Sequence, residues 1–154
     1  MDAYLTAKWL HILSSTVLFG TSIGTAFHMV WAMRSDNPQV IHRTVSGALM
    51  AALLCTAPAW LIQPATGLWL IHLQGYPPTE AWLTLTYALY ALAFIAWVPA
   101  IGLQFRIRSL TDSTTSVPLQ ARRAYRICIA LGCPAFLALV AIFWLMIHRP
   151  PLWG

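Results

Sequence analysis

YLTAKWLHILSSTVLFGTSIGTAFHMVWAM, residues 4–33, is apolar apart from Lys8, His11, His28 and a scatter of Ser and Thr. At a helical rise of about 1.5 Å per residue, it exceeds the length needed to cross a hydrocarbon core of about 30 Å. It therefore reads as a membrane-spanning helix. Helical periodicity puts Lys8 and His11 on one face. Further along, Gly20 and Gly24 make a GxxxG pair, the spacing that lets another helix approach closely in lipid. This helix thus carries both a polar, potentially ligating spot and a packing surface, through which a second copy or another membrane protein could dock.

The rest of the chain agrees. Of its 154 residues, 59% are hydrophobic and 8% are charged, where soluble domains average about 25% charged. The mean hydropathy is +0.68. The expected class is an all-α bundle of four transmembrane helices in a single polytopic domain, with the lipid bilayer as its main partner. The first segment reads as a retained helix, because Met1-Asp2-Ala3 lacks a positive leader and the apolar run is too long for a signal peptide core.

The pattern places helices at about 5–33, 44–73, 80–105 and 125–147. Arg34-Ser35-Asp36-Asn37-Pro38 should end the first, and Gln74-Gly75-Tyr76-Pro77-Pro78 should turn between the second and third. Pro58 and Pro64 in helix two each remove a backbone donor, so a kink or local opening is expected there. In lipid the freed carbonyls need internal partners, and Gln63, beside Pro64, is a candidate donor.

Orientation follows from the basic residues. Arg34, Arg43, Arg106, Arg108, Arg122, Arg123 and Arg126 flank the first and third loops, whereas Lys8 and Arg149 stand on the opposite side. The positive-inside rule puts both termini outside the cytoplasm. Trp9, Trp69, Tyr76, Trp82, Trp144 and Trp153 would then fall at the outer interface, and Trp31 and Tyr125 at the inner one. The bacterial inner membrane is the expected location. The arginines lack the interleaved aromatics of a single-strand groove, so no nucleic-acid partner is expected.

His11, His72 and His148 lie towards the outer side, and His28 and His42 towards the inner. An ionisable residue as deep as His11 usually faces the bundle interior or a cavity, and imidazole is a usual haem ligand. Two imidazoles from different helices could clamp haem b, with His72 the first candidate partner for His11 and His148 the second. Lys8 and Arg149 could pair with the propionates, and Trp9, Trp69 and Trp144 could line the pocket. The plainer alternatives are that His72 and His148 meet water at helix ends and that Lys8 snorkels to the headgroups.

Other chemistries find no footing. The carboxylates Asp2, Asp36, Glu80 and Asp112 all fall at loops or ends, so no intramembrane acid pair exists. No nucleophile elbow, HExxH or phosphate-binding glycine loop is present. Cys55, Cys128 and Cys133 lie in apolar stretches without metal-ligand spacing and read as small buried hydrophobes. Three functions remain: a cytochrome-like haem b protein in electron transfer or an oxidoreductase step, a cofactor-free accessory or assembly subunit, or a small metal or solute transporter using His11 and His72 as transient ligands.

The run K-W-L-H-I-L-S-S-T-V-L-F-G-T-S-I-G-T-A-F at 8–27, with P-A-W-L-I-Q-P-A-T-G-L-W-L at 58–70 and the turn G-Y-P, resembles a bacterial family of integral membrane proteins known as domain of unknown function twenty-two sixty-nine. That resemblance implies a small helical bundle. The Lys-x-x-His opening is more distantly similar to haem-dependent membrane protoporphyrinogen oxidases and copper-resistance membrane proteins. The resemblance to the oxidases implies a haem-binding role for His11. The basic residue those oxidases use deeper in their chain has no counterpart, since helices two to four contain no interior lysine.

Overall fold

The computed structural model describes residues 2–151. Four helical segments are long and apolar enough to cross a membrane, so the first and last described residues lie on one side. The chain forms α1 (Ala3–Arg34), α2 (Pro38–Ala51), a π-helical turn (Ala52–Thr56), α3 (Ala57–Gln74), α4 (Ala81–Leu110) and α5 (Leu119–His148). The π turn joins α2 and α3 into one continuous span, Pro38–Gln74.

The starts of α1 and α2 are capped by short polar side chains. Asp2 accepts from the Tyr4 amide at 3.1 Å. Asn37 accepts from Gln39 N at 2.9 Å and Val40 N at 3.3 Å. This explains one difference from the pattern. Pro38, expected to close the first helix, opens the second, because proline at the first helical position gives up a donor that would be orphaned anyway. The span therefore begins at Pro38 rather than Thr44. The third and fourth spans likewise run beyond the expected 80–105 and 125–147. Arg106, Arg108, Arg122 and Arg123 all lie on helix, because arginine is a good helix former and a helix need not stop where the hydrocarbon does. At Gly75 the chain adopts φ +68°. There Gly75 N donates to His72 O and Tyr76 N to Ile71 O, closing α3 with paired bonds that favour a glycine.

The prolines are accommodated in two ways. Before Pro58 the backbone widens into the π turn, where Thr56 Oγ1 meets Thr21 Oγ1 of α1 at 2.9 Å. At Pro64 the missing N–H frees the carbonyl of Trp60. Tyr90 of α4 donates its hydroxyl to that carbonyl at 2.7 Å. A neighbouring helix thus supplies the donor, and Gln63 is turned to other work.

The packing differs between the two ends. On the loop side, Met29, Ile41, Val45, Ile107 and Ala124 draw α1, α2, α4 and α5 into one buried cluster. At mid-depth, Leu18, Ala59, Trp60, Ala93 and Ala138 meet. On the terminal side, the buried cluster is Trp82, Leu83 and Leu145 of α4 and α5, against which the half-buried Ile71 of α3 and Tyr76 pack. Apart from that contact, the bundle parts there into an α1–α3 pair and an α4–α5 pair, the two extensive helix interfaces. Large apolar side chains such as Leu54, Leu61, Ile95 and Ile147 are 70%, 74%, 68% and 75% exposed. A soluble monomer does not show so much exposed apolar surface; here it is the lipid-facing surface.

Candidate functional site: a histidine at the wall of a membrane cavity

A cavity of about 630 Å³ opens where the helix pairs part, within the range of about 300–1,000 Å³ typical of small-molecule sites. Its walls are largely apolar: Phe19, Leu68, Leu83, Phe94, Ile142 and Phe143 contribute, with Tyr87 and Tyr90 from α4. Its polar contributors include Lys8 and His11 from α1, Gln63 from α3, and Arg149 after α5.

His11 is held by α3 on three sides. Nδ1 lies 3.2 Å from the Gln63 carbonyl oxygen and 3.0 Å from Thr66 Oγ1. A carbonyl only accepts, so Nδ1 carries the ring proton and shares it between these oxygens. The Thr66 hydroxyl passes its own proton to the Ile62 carbonyl at 2.7 Å. Nε2 therefore holds the lone pair, and it accepts from the Gln63 side-chain amide at 3.2 Å. The Gln63 amide oxygen accepts from the Ser14 hydroxyl. Ser14, Gln63 and Thr66 are all buried. The ring rests on Gly67, where an added Cβ would come within 3.2 Å of His11 Cε1.

The cations stand towards the terminal side. The Lys8 ammonium lies over the Tyr4 ring, 5.7 Å from its centroid. The Arg149 guanidinium is 5.2 Å from the Tyr76 centroid and 5.6 Å from that of Trp82, and it donates to the Tyr76 hydroxyl. Such an aromatic seat fixes a guanidinium while leaving donors free.

The other expected residues are placed differently. His72 is exposed near the end of α3 and is not in the cavity wall. His148 stacks on Trp144, with ring centroids 4.7 Å apart, and its Nδ1 lies 3.1 Å from the Trp144 carbonyl, also outside the cavity wall. Trp9, Trp69 and Trp144 are exposed and do not line the cavity. Trp82, expected at the interface belt, is buried and lines it instead. Trp153 lies outside the described residues. Among the described residues, no group of three or more His, Cys, Asp or Glu gathers as a metal cluster.

Sequence reasoning missed Ser14, Thr66 and Tyr90. The available signal was depth. Polar side chains inside a span need partners, and Ser14 lies three residues from His11, on the same helical face.

This is a multi-pass helical membrane protein with a lipid-depth cavity walled by one histidine. Residues 5–150 match the family described as "Predicted integral membrane protein (DUF2269)", and the chain belongs to it. No curated protein and no solved structure matches the chain.

Proposed function

We propose that the chain binds haem b in this cavity through His11, in the bacterial inner membrane with both termini outside, and serves an electron-transfer or oxidoreductase step. The observation that carries the reading is the bond from His11 Nδ1 to the Gln63 carbonyl. Ligating histidines typically donate their second ring N–H to a carbonyl or carboxylate, which sets the tautomer and presents Nε2. The donor set fits the group in three respects: the cavity's volume, its apolar walls, and Lys8 and Arg149 available for carboxylates.

His11 would hold the iron by Nε2 once the Gln63 amide turns away from it. Lys8 and Arg149 would receive the propionates, and the aromatic and aliphatic walls would exclude water. When bound, haem supplies one-electron redox chemistry. His72 remains the first candidate for a second ligand and His148 the next; a pair would need their helix ends to turn inward.

The test is to purify the protein in detergent from a host supplied with haem precursors and record oxidised and reduced visible spectra. A Soret band that His11→Ala abolishes supports the reading. A colourless wild-type preparation overturns it.

The accessory-subunit reading draws on a different observation. Added Cβ atoms at Gly20 and Gly24 would meet nothing within 4 Å, so the GxxxG face is unfilled within the chain. Its sign would be a colourless protein that co-purifies stoichiometrically with another membrane protein.

A further inference from the structure

A second cleft, of about 400 Å³, lies between α1 and α2 at the loop-side half of the membrane. Arg43, His28 and Thr44 contribute polar groups to it, and Gly24, Gly47 and Ala51 form part of its small-residue wall. From Arg43 to Ala51 is about 12 Å along the helix. The cleft therefore runs from a cation near the loop into the hydrocarbon, and its deeper wall lacks bulky side chains. Among the described residues the ion pair is Arg122 with Asp36, so Arg43 has no carboxylate partner. Added Cβ atoms at Gly24 and Gly47 would touch nothing within 4 Å, so no side chain of this chain fills the furrow.

We infer that this cleft seats one anionic phospholipid, with its phosphate at Arg43 and His28 and an acyl chain along Gly24, Gly47 and Ala51. Charge complementarity selects this occupant. A basic pocket between spans beside the positive loops is where anionic headgroups bind; deeper in the cleft, the hydroxyls of Thr21 and Thr25 are spent on the Val17 and Thr21 carbonyls, which leaves small side chains without free donors along an acyl chain. A second copy of the helix would instead bring one cationic wall against another. The site is independent of His11 and of any haem.

The full chain, purified from membranes holding both phosphatidylglycerol and phosphatidylcholine, should retain phosphatidylglycerol, counted by mass spectrometry of the intact complex. The double variant Arg43→Ala, His28→Ala should lower that retention about five-fold or more. Gly47→Leu should lower it while leaving the melting temperature near wild type, since its side chain enters open space. Arg106→Ala, which removes the same charge outside the cleft, should retain wild-type lipid. Equal retention in wild type and the double variant overturns the proposal. So does protection against thermal unfolding by inorganic phosphate alone that equals protection by phosphatidylglycerol vesicles. Loss of a dimer in Gly47→Leu with lipid retention unchanged also overturns it, and assigns the furrow to a second copy.

Discussion

Gln63 hydrogen-bonds both nitrogens of the His11 ring, its carbonyl 3.2 Å from Nδ1 and its side-chain amide 3.2 Å from Nε2. One residue of α3 thus sets the tautomer of a histidine on α1 and covers its lone pair. The carbonyl half is backbone and persists through side-chain substitution. The amide half can be removed.

Gln63→Leu should therefore separate stability from ligand binding. It leaves Nε2 without its donor and the Ser14 hydroxyl with the His11 carbonyl alone, at a cost of about 1–2 kcal/mol, read as a lower unfolding midpoint in an SDS titration. If haem is the ligand, the same variant exposes Nε2 and should keep the Soret band that His11→Ala loses. A Gln63→Leu protein that is as stable as wild type would contradict the network.

Tyr90 and Pro64 should be energetically coupled. Tyr90→Phe removes the donor to the Trp60 carbonyl and should destabilise by about 1 kcal/mol. Pro64→Ala restores a backbone N–H that can serve the same carbonyl. In that background Tyr90→Phe should cost measurably less. A double-mutant cycle with no coupling energy would show that the tyrosine does not compensate for the proline.

Gly67 and Gly102 should respond in opposite directions. Gly67→Val pushes a side chain into His11 and should cost about 1–3 kcal/mol, displacing the ring from Gln63. Gly102→Ala meets nothing within 4 Å and should be neutral or stabilising by up to about 1 kcal/mol, from helix propensity. Thermal melts of the two variants side by side check this.

The ion pair between Arg122 and Asp36 should matter little. Their side chains are 39% and 66% exposed, and such pairs contribute about 0–1 kcal/mol. Arg122→Ala should leave the melting temperature almost unmoved. A large loss would mean that the pair is shielded by lipid or a partner.

Sidedness is checked by a reporter fused after Gly154. Activity outside the cytoplasm is expected from the arginines at the first and third loops. Activity inside would move the cavity to the opposite leaflet.

How much was legible in the chain varies with the range of the interaction. The spans are a one-dimensional property, since hydropathy over a bilayer's thickness needs no partner to be evaluated. Their ends were harder. Pro38 reads as a terminator from one side and an opener from the other, and Arg106 and Arg122 look like loop by polarity while propensity keeps them helical.

His11 was legible as a residue needing internal partners because its depth in a span made its polarity costly. Its companions were not. Ser14 shares a helical face with His11, but Thr66 is on another helix, and nothing along the chain says that Gln63 will join them. His72 and His148 were grouped with His11 by depth, yet depth is one coordinate of three. The rotation of each helix about its axis decides whether a side chain meets a cavity or the bulk, and that rotation is set by packing against neighbours.

Sequence alone therefore determined the membrane class, the four spans and the depth at which His11 needs partners, because each follows from burial energies that act locally along the chain. Only the tertiary structure decided that Gln63 meets His11, that Tyr90 serves the Trp60 carbonyl, and that the bundle parts into two pairs around a cavity. Those depend on which faces of separate helices meet, and in lipid, where hydrophobicity does not sort one apolar face from another, close packing and polar contacts make that choice.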